Sequence, residues 1–172
     1  NVSTVTGITK PAVGGVLYGV TGLNSSLPNR LLGINPATGV SGVLGFTTFG
    51  GVPVSLQDIE YTPVSGRYYA IKEGTNQILQ SLNGLVWANF AVVPTMSTLN
   101  GLAFRKVGAV TTLWVIAGGS NFTCAANFGD MWNYNLAGGL IGVDSYNALT
   151  VGPVQPELGL DYFESTACGV SY

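Results

Sequence analysis

The sequence contains no histidine. That absence excludes Ser-His-Asp and Cys-His nucleophilic arrangements, along with every metal site built on imidazole. Charge is scarce as well: charged residues make up 8% of the chain, against roughly a quarter in an average soluble domain. The basic residues Lys10, Arg30, Arg67, Lys72, Arg105 and Lys106 are scattered and the net charge is −2. Nucleic-acid binding, which needs a basic stripe to neutralise phosphates, is therefore set aside. No apolar run reaches the roughly twenty residues a helical membrane span requires, so no such span is expected. The Gly pairs at 50–51, 118–119 and 138–139 lack the strand-to-helix context and the Lys-Ser/Thr partner of a phosphate loop. No segment shows helical apolar spacing free of Gly and β-branched residues.

What remains is apolar and small. Hydrophobic residues account for 47% of the 172, and Gly for 25 of them. Ser, Thr and Asn carry the polar surface, a composition common in extracellular β proteins, and low charge weakens repulsion between copies of the same chain. Because the chain opens on Asn1 rather than Met, removal of a leader and export are expected. Cys124 and Cys168 are the two cysteines, without metal-ligand spacing, and read as a disulfide formed in an oxidising compartment. Such a bond would contribute about 3–4 kcal/mol. Mass spectrometry under non-reducing conditions should recover the 124–168 cross-link, and two alkylatable thiols in the native protein would refute it. Asn-x-Ser/Thr sequons open at Asn1, Asn24 and Asn121, each a candidate for glycosylation.

The sequence is organised by a repeat. Asp58-Ile59-Glu60-Tyr61, a Pro-Val-Ser-Gly turn and Arg67-Tyr68-Tyr69-Ala70-Ile71 read as strand, turn, strand. The pattern recurs from Gly101-Leu102-Ala103-Phe104 to Leu113-Trp114-Val115-Ile116, and from Gly159-Leu160-Asp161-Tyr162 to Ala167-Cys168-Gly169-Val170. A weaker copy runs from Gly7-Ile8-Thr9-Lys10 to Val16-Leu17-Tyr18-Gly19-Val20. Units therefore start near residues 7, 58, 101 and 159. Further strand candidates at 30–35 and 40–46, at 77–82 and 86–93, and at 131–136 and 140–145 bring the first three units to four strands each. Ile8, Ile59, Leu102 and Leu160 are expected at one buried repeat position, and Val20, Ile71 and Ile116 at another. Asn35-Pro36-Ala37-Thr38-Gly39, Asn83-Gly84 and Ala137-Gly138-Gly139 supply the turns.

With Leu17-Tyr18-Gly19-Val20 before it and Leu56-Gln57-Asp58-Ile59-Glu60-Tyr61 after it, the segment Leu31-Leu32-Gly33-Ile34-Asn35-Pro36-Ala37-Thr38-Gly39 resembles blades of the quinoprotein-like and related β-propellers. The resemblance implies four-stranded antiparallel units around a central channel. It implies no activity, since propellers host binding, scaffolding and catalysis alike. One domain over residues 1–172 is expected, all-β, with about four such units and the last incomplete. Either the ring closes with a thin last blade, or an open array is completed by a neighbouring molecule.

Candidate chemistry is sparse. Asp58 and Glu60 share one face of an opening strand and Asp161 takes the place of Glu60 in the fourth unit, so these acids could converge on a channel as glycosidase carboxylates do. Their alternative role is to bind backbone amides at strand ends. Trp132 and Tyr134 are the best candidates for an exposed sugar-stacking platform, against the core packing that strand aromatics usually serve. Val2, Val5 and Ile8, in the segment 1–10, suit an assembly strand that pairs with the edge of the fourth unit, within the molecule or across to another. No catalytic residue, metal site or cofactor is expected. The function read from the sequence is that of a non-catalytic secreted protein that self-associates, as a subunit of an extracellular filament or surface layer. The alternative is a propeller-type carbohydrate-binding module, with a carboxylate glycosidase a distant third.

Overall fold

A computed structural model of the chain describes residues 4–11, 14–94, 98–117 and 130–145. Among them there is no helix, and every regular element is a strand. Sheet one comprises β1 (Val5–Thr9), β2 (Leu17–Thr21), β3 (Arg30–Ile34) and β4 (Ser41–Phe46). A short hairpin follows, β5 (Thr48–Phe49) and β6 (Val52–Pro53). Sheet two contains β7 (Leu56–Thr62), β8 (Arg67–Lys72), β9 (Gln77–Ser81) and β10 (Val86–Val92). Sheet three contains β11 (Leu99–Val107), β12 (Val110–Ala117), β13 (Asp130–Asn135) and β14 (Leu140–Ser145). In each sheet the four strands lie side by side in chain order, all antiparallel, which is what short turns between consecutive strands produce.

The register reveals the repeat more sharply than the sequence does. In the first ladder of each sheet one residue bulges at the same place: between Val5 and Gly7, between Leu56 and Asp58, and between Leu99 and Gly101. After the bulge Gly7 faces Val20, Asp58 faces Ile71 and Gly101 faces Ile116. Gly7, Asp58 and Gly101 are thus one repeat position, and Ile8, Ile59 and Leu102 the next. The turns repeat too. Asn35 Oδ1 accepts the Ala37 amide at 2.9 Å, and Asn135 Oδ1 accepts those of Ala137 and Gly139 at 2.9 and 3.0 Å. Asn83 Oδ1 takes the Leu85 and Val86 amides in the corresponding turn of sheet two. An Asn that holds its own downstream amides is the mechanism by which this residue type initiates turns.

Period-two alternation gives every strand two faces, and sheet two buries both of them. Leu56, Ile59, Tyr68, Ala70, Leu79 and Trp87 pack against Val20 and Leu31 of sheet one. Tyr69, Ile71, Ile78, Ala91 and Val93 pack against Leu99, Leu102, Leu113, Val115, Trp132 and Tyr134 of sheet three. Aromatic pairs join the layers: Tyr18 stacks on Tyr68 with ring centres 5.7 Å apart, and Tyr69 meets Phe104 edge-on at 5.3 Å. The first strands β1, β7 and β11 adjoin one another along the inner side of the array.

The outer edges differ. On sheet two, β5 runs parallel to β10, with Thr48 beside Val86 and Phe49 beside Trp87, and β6 closes the hairpin. The Thr48 amide donates to the Leu85 carbonyl at 2.8 Å, and the Thr47 hydroxyl donates to the Val54 carbonyl at 2.6 Å. This hairpin, unforeseen in the sequence, ends the sheet in Pro53, which has no amide to offer.

One expected core position fails. Ile59 and Leu102 are fully buried, but Ile8, at the same repeat position, is 51% exposed. The side chain points away from sheet two, toward the face of sheet one that no described residue covers. Val20, Ile71 and Ile116 are all buried as expected, whereas Leu160 lies outside the described residues.

Candidate functional site

The inner strands carry the chain's most unusual hydrogen bonds. A bulge leaves amides without ladder partners, and side chains of the neighbouring inner strand supply acceptors. Asp58 Oδ1 accepts the Ile59 amide at 2.8 Å and Oδ2 accepts the Leu102 amide at 2.9 Å, so one carboxylate ties β7 to β11. Thr6 donates to the Leu56 carbonyl at 2.6 Å, and Thr9 Oγ1 accepts the Tyr61 amide at 2.9 Å while lying 3.2 Å from Glu60 Oε2. Burial pushes the Asp58 carboxyl up to about 7, although the two amide bonds, from Leu102 and Ile59, pull the other way. The two acids singled out in the sequence therefore lie on the inner strands, where Asp58 joins backbone to backbone and Glu60 holds a threonine. Asp161 lies outside the described residues.

Gly7 lies hard against Asp58. A Cβ at Gly7 would lie 2.6 Å from Asp58 Oδ1 and 2.7 Å from both the Asp58 Cα and the Ile59 nitrogen. The backbones of β1 and β7 thus meet where only glycine fits. Gly7→Ala should force the strands apart and destabilise the protein by about 1–3 kcal/mol, the usual cost of overpacking. Urea melts of the two proteins measure it, and unchanged stability would mean that β1 does not sit there.

The aromatic platform does not form. Trp132 and Tyr134 are each only 3% exposed and belong to the core between sheets two and three. Their spacing of two residues places both on one face of β13, and that face is the one packed on sheet two. The Tyr134 hydroxyl is buried without a hydrogen-bond partner, and burial raises its pKa. Trp87 is also buried, with Nε1 donating to the Gly84 carbonyl at 3.1 Å. Trp114 alone of the three is half-buried, with Nε1 donating to Thr112 Oγ1 at 2.9 Å.

The segment proposed as an assembly strand is described in part, and the fourth-unit edge it was expected to meet lies outside the described residues. Val5 and Ile8 belong to β1, which forms its ladder with β2 inside sheet one, because the first unit needs this segment to reach four strands. Val2 lies outside the described residues, as do Asn1, Asn121, Cys124 and Cys168. Asn24 is exposed.

The surface that sequence reasoning missed is the outward face of sheet one. Ile8 on β1, Val43 on β4 and Phe46 on β4 are 51, 50 and 54% exposed, while Val5, Leu17 and Ile34 are half-buried between them. The Arg30 guanidinium lies 3.3 Å from the centre of the Phe46 ring. The positions matching Val5, Ile8 and Leu17 in sheet two are Leu56, Ile59 and Tyr68, all buried on sheet one. Those in sheet three are Leu99, Leu102 and Leu113, all buried on sheet two. Only the knowledge that no sheet precedes sheet one among the described residues distinguishes it, and the strand pattern cannot carry that.

No family profile matches the chain, and no curated protein matches it in sequence. Solved structures do resemble it. A chain of the Kuenenia stuttgartiensis hydrazine synthase is 12% identical with a TM-score of 0.55, covering 81% of this chain and 36% of that one. A chain of a nidogen/laminin complex is 11% identical with a TM-score of 0.56, covering 83% and 49%. GH43B of a Bacteroides ovatus xyloglucan locus is 15% identical with a TM-score of 0.50, covering 88% and 30%. These are β-propeller proteins, and the three four-stranded sheets are propeller-like repeats. At such identities the likeness concerns the fold alone. The chain spans about a third to a half of the length of these structures.

Proposed function

We propose that this protein is a non-catalytic, exported structural protein that self-associates through its propeller-like repeats, as a subunit of an extracellular filament or surface layer. The observation that carries this reading is the apolar face of sheet one, which no described residue covers, in a chain with only 8% charged residues. Contiguous apolar surface of this kind marks an interaction site, and little charge opposes the approach of a second copy. The inner acids support the same reading, since the Asp58 carboxylate is spent on joining strands. The carbohydrate-binding alternative loses its platform with the burial of Trp132 and Tyr134. Closure of the repeats into a ring, and kinship with the quinoprotein-like propellers in particular, belong to this proposal as its finer statements. Electron microscopy of the purified protein tests it. Filaments, sheets or discrete oligomers are expected, and monodisperse particles of one chain at every concentration would overturn it.

A further inference from the structure

We infer that the end of the array at which the first hairpin of each sheet turns docks on a lipid bilayer with anionic headgroups. This surface is distinct from the sheet-one face assigned to self-association, and neither reading depends on the other. The fold gathers here what the sequence scatters. The Thr6 hydroxyl donates to the Leu56 carbonyl and Thr9 Oγ1 accepts the Tyr61 amide, so β1 and β7 run in one direction. Asp58 accepts the Leu102 amide, and Tyr69, which pairs with Glu60, meets Phe104, so β11 runs with them. The β1–β2, β7–β8 and β11–β12 turns therefore share one end of the array. Lys10 follows β1, Arg67 opens β8, and Arg105 and Lys106 lie in the last three residues of β11. These are four of the chain's six basic residues, and Lys10 and Lys106 are exposed. Arg30 and Lys72 lie at the opposite ends of their strands, over the Phe46 and Phe49 rings. Glu73 after β8, Asp130 at the start of β13 and Asp144 near the end of β14 lie at that opposite end too. Asp58 and Glu60 are half-buried between the inner strands, so among the described residues no exposed acid accompanies the four cations.

Apolar side chains accompany the cations. Val64 in the β7–β8 turn and Val107 and Val110 beside the β11–β12 turn are 59, 61 and 62% exposed, and Val16, just before β2, is exposed as well. Side chains so far out of the core add nothing to its packing, and turns that face water ordinarily carry polar residues. At a bilayer the same valines enter the boundary between headgroups and acyl chains, while lysine and arginine meet the lipid phosphates. An acidic polymer in solution would engage the cations and leave the valines in water, so the pairing of the two favours a bilayer. Neighbouring sheets pack about 10 Å apart, and the three turns form a row roughly 20 Å long that fits a flat surface.

Co-sedimentation of the whole 172-residue chain with lipid vesicles is the test. Vesicles of phosphatidylcholine with about a quarter phosphatidylglycerol should bind it, pure phosphatidylcholine should not, and the affinity should fall as salt rises. Lys10→Gln with Lys106→Gln should weaken binding about thirtyfold, through two charges lost near the surface. Val107→Thr with Val110→Thr, which keeps β-branched side chains in both strands, should weaken it about tenfold. Lys72→Gln with Leu23→Thr, at the opposite end, should bind as the wild type does. Absence of binding to the anionic vesicles at low salt overturns the inference. Loss in the lysine variant but not in the valine variant, with heparin binding the wild type equally well, would make the partner a soluble polyanion. A lowered urea midpoint in the vesicle-free valine variant would mean that the chain itself covers the turns. Equal loss from the opposite-end variant would place the contact elsewhere.

Discussion

Replacement of Asp58 by Ala should lower stability by about 2–5 kcal/mol near pH 5, because the Ile59 and Leu102 amides lose their shared acceptor and each unpaired buried group costs about 1–3 kcal/mol. The same substitution should flatten part of the pH profile. The carboxyl is raised from 3.8 to about 7 in the folded protein by burial, so between these values the folded state holds a proton that the unfolded chain has released. Stability is then fully present below about pH 4 and falls as pH rises through about 7. The loss amounts to at most about 4 kcal/mol, three pH units at about 1.4 kcal/mol each. The gap between wild type and Asp58→Ala should consequently narrow from pH 5 to pH 8. Asp58→Asn should fall between them, keeping one acceptor oxygen while setting an amide donor against a backbone donor. Urea melts at pH 5, 6, 7 and 8 on all three proteins give the comparison. A gap that widens with pH would show that Asp58 is ionised throughout and that its amide bonds outweigh its burial.

Ile59→Ala should cost about 2–5 kcal/mol, as deletion of a fully buried branched side chain does. Ile8→Ala should cost less than about 0.5 kcal/mol in dilute solution, where an exposed side chain has little packing to lose. The two residues occupy one repeat position, so the pair separates what the sequence pattern assigns from what a neighbouring sheet adds. At concentrations where copies associate, the cost at Ile8 should rise toward that at Ile59. Equal costs in the dilute protein would mean that a covering element already sits on sheet one.

The fold was legible where local chemistry dictates it. The strands at 30–35, 40–46, 67–71 and 113–116 were placed by alternation, and the turns at 35–39, 83–84 and 137–139 by residues that bind their own amides or reach positive φ, as Gly39, Gly84 and Gly138 do. The β5–β6 hairpin escaped because two-residue strands have no period to detect. The site was less legible, for a different reason. Alternation states that Trp132 and Tyr134 share a face and that Ile8 matches Ile59, but not which face meets a neighbour. Trp132 was weighed as an exposed platform against core packing and lies in the core, whereas Ile8 was expected in a core and is half exposed. The sequence did identify Asp58 as a strand-end acid that could hold amides. The second amide, from Leu102 across the sheet boundary, depended on packing between units.

Because β5 and β6 precede β7 in the chain yet finish the outer border of sheet two, the repeat as written and the repeat as built have different boundaries. A segment excised from Leu56 to Val93 would strip β10 of its parallel companion, and the Leu85 carbonyl would lose the Thr48 amide. Cutting instead before Thr47 keeps the Thr47–Val54 clasp and all six strands together. Anyone who transplants, duplicates or permutes a unit of this protein should therefore begin it about eleven residues earlier than the sequence repeat, which opens near residue 58, advises. The exposed tip at Gly50–Gly51, where both residues have positive φ and open space around them, is then the natural place to insert a label or a new loop.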